Sequence, residues 1–256
     1  MSGFLQAIIS DLHGNLEATN TVFADIERCG ASEIFCLGDL IGDGPDPVDV
    51  VKLVRNRADV VLQGECDWNA AVGWELENAF GLGRSSSRYR RLLGNDAEAV
   101  ALVEFLGSCL PSLTIGSIMY VHGSPRYPRN EYLFPEDTYN QKKMAAVADC
   151  FETLCFAGHT HVPGIFVHSD RGPGEFDFLS PADFSSQYRL GNQRVICNVG
   201  SVGQPRDGDP RACYVLFDGE TITFRRVDYD QERTIAKIDG GGDSGGYFGA
   251  RLRDGR

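Results

Sequence analysis

The sequence predicts an α/β fold with two packed sheets and helices on the outside, and three observations support this. Short apolar runs with many β-branched and aromatic residues recur along the chain, as is typical of buried strands. Helical periodicity separates the early runs in the order βαβαβ, whereas strands dominate the later part. The 256 residues are enough for one large domain with a substantial core.

Strands and helices alternate along the first half of the chain. Strands are predicted at 4–10, 33–38, 59–64 and 117–123, and later at 153–161, 164–169, 194–201, 212–219 and 221–229. Helices are predicted at 15–29, 46–57, 95–111 and 138–150. Asn15 is the predicted N-cap of the first helix and Gly30 its stop. Asp46 is the predicted N-cap of the second, with Pro47 at its first position.

Two internal segments and the C-terminal tail lack a clear pattern. Residues 79–94 carry four arginines in a Gly/Ser-rich setting, which fits either a mobile lid or a solvated connection. Residues 170–193 are interpreted as an insertion or cap segment between late strands. The tail 236–256 is glycine-rich, with disorder expected for 239–246 and a short helix after it.

Composition argues against several classes of protein. The formal charge of −12 repels phosphate backbones, so we expect no nonspecific nucleic-acid binding, although metal cations would still attract a small phosphorylated substrate. No apolar run approaches the roughly 20 residues that span a bilayer, and the N-terminus lacks the basic region of a signal peptide. The eight scattered cysteines include no CxxC pair, so we expect reduced thiols in a cytoplasmic protein.

The histidines carry the strongest functional signal. Four of the five directly follow apolar runs, beside glycine, and three aspartates occupy the same kind of position. These residues are His13, His122, His159, His161, Asp11, Asp39 and Asp67. Strand ends converge on one crevice in an α/β sheet, and imidazoles with carboxylates suit Mn, Fe, Zn, Co or Ni. The pattern therefore favours a metal site over unrelated histidines that cap strands. His168 has no such partners and is interpreted as structural.

Five motifs together resemble those of a known family. They are SDLHGN (10–15), LGDLIGDGPDP (37–47), GECD (64–67), YVHGSP (120–125) and AGHTHVP (157–163). Their order and spacing resemble the calcineurin-like metallophosphoesterases, most closely a compact bacterial and archaeal phosphodiesterase-like branch. The segment NVGSVGQPRD (198–207) also resembles that branch.

The resemblance implies a fold, a metal centre and an activity. The fold would be a four-layer α/β/β/α sandwich of two mixed sheets with flanking helices, in a domain covering residues 1–235. Two divalent ions (Mn, Fe, Zn, Ni or Co, with Mn favoured in vitro) would share a bridging hydroxide that attacks phosphorus. The implied ligands are Asp11, His13 and His161 for one ion, His122, His159 and Glu65 for the other, and Asp39 for both.

Glu65 departs from the family pattern, which has asparagine at this position. A glutamate can still ligate a metal, but while ionised it donates no hydrogen bond to a phosphate. At ~4 Å and an effective dielectric near 20, its extra charge costs about 4 kcal/mol against a phosphate. The alternative is that Glu65 turns away and that water or Asp67 fills the ligand position.

The remaining site predictions concern residues beside the metals. Cys66 and Asp67 join Asp39 as predicted catalytic residues, Cys66 standing where many members carry a histidine proposed to protonate the leaving group. A thiol with a pKa of about 8.5 is a poor general acid. Asp67 is interpreted as a residue that orients the ligands.

Arg126 and Arg206 are predicted to contact the substrate. The alternative for Arg126 is a solvated loop face, and the alternative for Arg206 is a tight turn between strands.

We therefore expect a phosphoesterase that acts on a small phosphodiester, phosphomonoester or nucleotide. The alternative is a binding or scaffold protein that keeps the fold with weak or no catalysis, for which Glu65 and Cys66 are the main support. A protein phosphatase fits less well, because position 66 lacks the histidine and the acidic surface would not attract acidic phosphoproteins. No feature of the sequence predicts an oligomer.

Overall fold

Two six-stranded mixed sheets form the centre of the molecule, in a computed structural model that describes residues 4–73, 92–94, 96–169, 171–240 and 245–256. In spatial order the first sheet contains β3 (Val60–Val61), β2 (Glu33–Cys36), β1 (Gln6–Ile9), β11 (Ala212–Phe217), β12 (Thr221–Val227) and β9 (Gln187–Arg189). The second contains β4 (Ser112–Ile115), β5 (Ile118–Val121), β6 (Leu154–Ala157), β10 (Val195–Asn198), β7 (Gly164–His168) and β8 (Phe176–Leu179).

Three parallel strands in each sheet determine where the sequence motifs meet. In the first sheet β1, β2 and β3 are parallel, and in the second β5, β6 and β10 are parallel. The five motifs and the segment 198–207 each lie at the carboxyl end of one of these six strands. The carboxyl ends of parallel strands lie at the same end of a sheet, so the topology places the motifs close together.

Helices flank both sheets. They are α1 (Leu16–Cys29), α2 (Pro47–Arg57), α3 (Glu65–Trp68), α4 (Ala97–Ser108), α5 (Gln141–Ala148), α6 (Gln231–Asp239) and α7 (Gly245–Asp254). Asn15 caps α1 as predicted, its Oδ1 accepting from the N–H of Ala18 at 3.1 Å, and Gly30 ends the helix at φ 72°. Asp46 occupies the N-cap position of α2 with Pro47 as the first helical residue, as predicted. Its carboxylate makes no cap hydrogen bond, however, and accepts from Lys237 Nζ at 2.7 Å.

The buried side chains form three layers of core, which confirms the predicted sandwich. Ile8 and Phe35 of the first sheet share one cluster with Phe156 and Ile165 of the second, so the sheets pack face to face. A second cluster joins the outer face of the first sheet to α1, α2 and α4. A third joins the second sheet to α5 through Met144. The order of layers is α/β/β/α.

The segments without a clear pattern contribute strands and helices of their own. Residues 170–193 contain β8 and β9, which form one edge of each sheet. The predicted domain end at 235 falls inside α6, and the expected short helix is α7, whose Leu252 is buried. Residues 79–91, the larger part of the arginine-rich segment, lie outside the described residues. Within the described residues, no helix is long and apolar enough to cross a membrane.

A buried ionic network holds α1 against the first sheet. Asp25 is 4% exposed and accepts from Tyr214 Oη at 2.7 Å. Arg225 donates two hydrogen bonds to the same carboxylate from Nη2, both at 3.0 Å, and Arg28 donates at 2.9 Å. Burial raises the pKa of Asp25, but the hydrogen bonds from Tyr214 and the two arginines outweigh it, so the pKa is lowered.

We expect Asp25→Asn to lower the free energy of unfolding by about 1–3 kcal/mol, because hydrogen bonds to a buried charge are lost. A lowered folded pKa contributes stability above the unfolded value of about 4 and loses it as the pH falls through the folded value. The difference in the free energy of unfolding between wild type and variant should therefore become smaller when urea unfolding is measured at successive pH values from 6 down to 3. Glu220→Gln, at an exposed ion pair, is the matched control; an equal loss there would contradict the assignment.

Candidate metal centre

The six histidine and aspartate residues predicted as metal ligands are buried together at the strand ends. Five of them have left-handed backbone, with φ of 57° at Asp11, 47° at His13, 52° at Asp39, 68° at His159 and 62° at His161. Residues other than glycine rarely adopt this conformation, and its cost is characteristically borne at functional sites. The turns after β1, β2 and β6 are therefore strained at the positions that carry the candidate ligands.

The turn after β1 is hydrogen-bonded to the turn after β2. The Asp39 carbonyl accepts from the N–H groups of Leu12 at 2.9 Å and His13 at 3.0 Å, and the Gly38 carbonyl accepts from Asp11 at 3.0 Å. These bonds fix the first two predicted ligands relative to the third. The arrangement depends on backbone pairing and is preformed.

Two glycines allow the strand ends to approach each other. A Cβ at Gly64 would overlap the backbone nitrogen and Oδ1 of Asp39. A Cβ at Gly158 would come within 2.5 Å of Asp11 Oδ2. Any side chain at either position would displace a predicted ligand, which explains why the GECD and GHTH sequences at these turns both begin with glycine.

The first cluster of ligand atoms contains Asp11, His13 and His161. Nε2 of His13 and Nε2 of His161 are 3.0 Å apart, and Asp11 Oδ1 lies 3.2 Å from His161 Nε2. His161 Nδ1 lies 2.5 Å from the Gln204 carbonyl and can only donate to it, which leaves the Nε2 lone pair for a metal.

The second cluster contains Asp39, His122 and His159. Nε2 of His122 lies 3.0 Å from Nδ1 of His159 and 3.4 Å from Asp39 Oδ2. The same Asp39 oxygen is 3.8 Å from His13 Nε2 in the first cluster. Asp39 therefore lies between the two clusters, as a bridging carboxylate would.

The carboxylates of the two clusters are ionised, whereas the imidazoles differ in their protonation. Burial raises the pKa of Asp11 and Asp39, but neighbouring histidines outweigh it and lower both values. Burial and an adjacent imidazole lower the pKa of His13 to about 3 and that of His159 to about 4. Burial also lowers the pKa of His122, but Asp39 and Asp11 outweigh it and raise the value to about 9. Two ionised carboxylates thus face imidazoles of which two are neutral near pH 7.

The residues fit a divalent metal. Asp11 Oδ1 is fully buried and, within the described part of the chain, accepts no hydrogen bond. An unpaired buried carboxylate oxygen is costly unless a cation or donor compensates it. Pairs of imidazole nitrogens at 3.0 Å, together with carboxylate oxygens, make a donor set suited to first-row transition metals.

Glu65 lies at the edge of this centre. It begins α3, its side chain is 43% exposed, and its Oε2 is 3.9 Å from His159 Nε2. The nitrogen of His159 that faces the second cluster is Nδ1, so the carboxylate approaches the opposite side of the ring. Burial and Asp39 raise the pKa of Glu65. Metal ligation by Glu65 stays a prediction.

Cys66 and Asp67 connect the same turn to Asp39. The backbone N–H of Cys66 donates to Asp39 Oδ1 at 2.8 Å, and its thiol lies in a cluster with Asp39 and His13. Asp67 is fully buried and accepts from the N–H groups of Leu40 at 3.0 Å, Ile41 at 3.3 Å and Gly64 at 3.1 Å. These contacts are those of an orienting residue; the catalytic roles of Cys66 and Asp67 stay predictions.

The loop after β10 braces the other turns. Asn198 Nδ2 donates to the Gly158 carbonyl at 2.7 Å and to Thr160 Oγ1 at 2.8 Å. Ser201 Oγ donates to the Asp11 carbonyl at 2.8 Å. Arg206, in the same loop, donates from its backbone N–H to the His161 carbonyl at 3.2 Å. The loop is thus a tight structural turn that also carries an arginine beside the centre.

The two predicted substrate contacts differ in their partners. Burial and Arg251 lower the pKa of Arg206, whose Nη2 donates to Gln204 Oε1 at 2.6 Å while its buried Nε has no acceptor within the described residues. Arg126 instead pairs with Glu131 in its own loop. Both substrate roles stay predictions, and the structure gives Arg126 a loop-holding contact.

Sequence patterns did not identify Tyr132. Its ring stacks on the His159 imidazole with centroids 3.8 Å apart and an angle of 21°. Phe134 stacks behind it at 5.4 Å. No periodicity marks these aromatic residues, since they lie in an irregular loop. Asn198 did carry a usable signal, because it is polar and ends a buried strand like the ligands.

Comparisons with known proteins agree on one family. A family model described as the calcineurin-like phosphoesterase superfamily domain matches residues 5–221. An uncharacterized protein of Methanocaldococcus jannaschii is 33% identical over 254 residues, covering 91% of this chain and 90% of the relative. A metallophosphoesterase from Sphaerobacter thermophilus has 33% identity and a TM-score of 0.82 over 100% of both chains. A hypothetical protein from Pyrococcus horikoshii, at 16% identity, shares the fold with a TM-score of 0.66 over 92% of both chains.

We expect Asp67→Asn to weaken metal binding by roughly 10- to 100-fold, because an amide cannot accept from all three backbone N–H groups that orient the Asp39 turn. Equilibrium dialysis of the stripped protein against Mn²⁺, followed by metal analysis, measures the change. Asp49→Asn, at an exposed position of α2, is the control. Metal retention like that of wild type would show that Asp67 does not orient the centre.

Proposed function

The chain belongs to the calcineurin-like phosphoesterase superfamily, and on that premise we propose that it is a dinuclear-metal hydrolase of small phosphoric esters. The substrate would be a phosphodiester, a phosphomonoester or a nucleotide. One observation carries the proposal: two clusters of ligand atoms lie on either side of Asp39. The family is one of metal-dependent phosphoester hydrolases, and this geometry supports the finer assignment.

The proposed cofactor is a pair of divalent cations, chosen from Mn, Fe, Zn, Ni and Co, with Mn favoured in vitro. Asp11, His13 and His161 would hold one, His122 and His159 the other, and Asp39 both. When bound, such a pair supplies positive charge for the phosphoryl oxygens and lowers the pKa of an attacking water.

The chain's own residues would position the substrate and the metals. The guanidinium of Arg206, whose buried Nε has no acceptor within the described residues, would attract a phosphoryl oxygen, since charge-assisted hydrogen bonds to phosphate are strong. The N–H of Cys66 and the two neighbouring turns keep the Asp39 carboxylate in place. Burial of the ligands excludes bulk water, which strengthens each electrostatic contact.

A catalytically weak scaffold is the second candidate function, and Glu65 is the observation that favours it. Its carboxylate lies 3.9 Å from His159 Nε2 and is 43% exposed, which adds a negative charge at the edge of the centre. Against this, the six aspartate and histidine positions are intact and buried together, which a scaffold does not require.

We also propose a cytoplasmic location and a small phosphorylated substrate as a partner. All eight cysteines lie in the described part of the chain as thiols, which supports a reducing compartment. The charge of −12 supports the exclusion of nonspecific nucleic-acid binding.

We expect the stripped protein to be inactive on bis(4-nitrophenyl) phosphate and to become active after reloading with Mn²⁺. Glu65→Asn should raise kcat/KM about tenfold or more, because one negative charge facing the phosphate is removed. Asp49→Asn serves as the control for a surface charge change. Turnover by Glu65→Asn alone would favour the scaffold, and the absence of turnover by both proteins would contradict the hydrolase proposal.

A further inference from the structure

A cavity of about 360 Å³ opens beside Glu65, next to the metal centre. Its walls include Trp68 and Asn69 from the turn after β3 and Tyr127, Pro128, Arg129 and Asn130 from the loop after β5. The volume is within the range of about 300–1,000 Å³ that small-molecule sites occupy. Glu65 lines the cavity and its carboxylate is 3.9 Å from His159, so a ligand long enough to pass Glu65 would connect the metal ligands with the cavity.

The loop that forms one wall is preformed. Ser124 Oγ donates to Glu131 Oε2 at 2.5 Å and accepts from the N–H of Tyr127 at 3.0 Å. Arg126 donates from Nε to the same Glu131 oxygen at 3.2 Å, and the Gly123 N–H donates to the Pro128 carbonyl at 2.6 Å. A wall held by its own hydrogen bonds loses little entropy when a ligand binds.

The side chains in the cavity suit a flat, polar-edged aromatic group. The Arg129 guanidinium carbon lies 5.9 Å from the centroid of the Trp68 ring. Its Nε is buried and has no acceptor within the described residues, so no protein acceptor holds the guanidinium through that atom. The residue itself is half-buried and lines the cavity, which leaves the rest of the guanidinium for a ligand. Asn69 and Asn130 add amide donors and acceptors. Indole and guanidinium planes stack on nucleobases, and asparagine amides pair with base edges.

We propose that this cavity is a nucleobase site, so that the ester hydrolysed at the metals is carried by a nucleotide. The inference rests on the proposed phosphoesterase function and specifies its substrate class. An aliphatic group would cover the Arg129 guanidinium and both amides without offering them hydrogen bonds, which is costly. A nucleobase would stack on Trp68 and offer acceptors to Arg129.

The test is a calorimetric titration of the Mn²⁺-loaded protein with three phosphonates that cannot be hydrolysed. They are the 5′-methylenephosphonate analogue of adenosine 5′-monophosphate, the corresponding analogue of ribose 5-phosphate, and octylphosphonate. The adenosine compound should bind at least tenfold more tightly than the other two, because base stacking contributes roughly that factor or more. Trp68→Leu and Arg129→Met should each reduce this preference severalfold, whereas Tyr139→Leu, an exposed aromatic residue outside the cavity, should preserve it.

Equal binding of the adenosine and ribose compounds, tighter binding of octylphosphonate, or a preference that survives Trp68→Leu would overturn the nucleobase site. Hydrolysis of 4-nitrophenyl thymidine 5′-phosphate and of methyl 4-nitrophenyl phosphate, measured in parallel, separates the two proposals. A tenfold binding preference without hydrolysis of either ester would support the base site and contradict the phosphoesterase function. Hydrolysis of both esters at equal kcat/KM, with equal binding of the phosphonates, would support the phosphoesterase function and contradict the base site.

Discussion

Two buried carboxylates that need positive charge beside them determine the rest of this structure. Asp11 and Asp39 are almost completely excluded from water. His13 and His159 have pKa values too low to bring protons at neutral pH, so His122, with a pKa of about 9, supplies one positive charge for two carboxylates. An uncompensated buried charge is among the most expensive features a fold can contain. Cations bound at these residues would compensate that charge. The left-handed backbone at the ligand positions and the buried Asp67, which fixes the Asp39 turn, would then serve to hold the carboxylates in place for the cations.

The sandwich is what makes this concentration of ligands possible. Each sheet contributes three parallel strands, and every motif lies at one of their carboxyl ends. The aspartates come from the first sheet and most of the histidines from the second, so the centre forms only when the sheets pack together. The loop after β10 then joins the two halves through Asn198 and Ser201. The packing of the two sheets against each other therefore brings the candidate metal ligands together.

The sequence predicted the features that depend on local pattern, namely the ligands at strand ends and the ends of the first helix. It did not predict the features that depend on side chains distant in the sequence. Strand-end polarity located Asp11, Asp39 and the histidines, and helix-end chemistry located Asn15 and Gly30. Asp46 is the N-cap residue of α2, but Lys237, far along the chain, takes its carboxylate, so the side chain makes no cap hydrogen bond. The edge strands β4, β8 and β9 are short and partly exposed, so periodicity did not reveal them. The stacking of Tyr132 on His159 and of Arg129 on Trp68 joins loops whose meeting no local pattern encodes.

The number of manganese ions that the stripped protein binds, and their magnetic coupling, test most directly whether the two ligand clusters form one dinuclear centre. We predict two Mn²⁺ ions per chain, with an electron paramagnetic resonance spectrum that shows spin coupling between them, as a shared Asp39 carboxylate requires. In the same titration Asp39→Asn should abolish the coupled signal. A single uncoupled Mn²⁺ per chain in the wild type would contradict the claim that the two ligand clusters form one dinuclear centre.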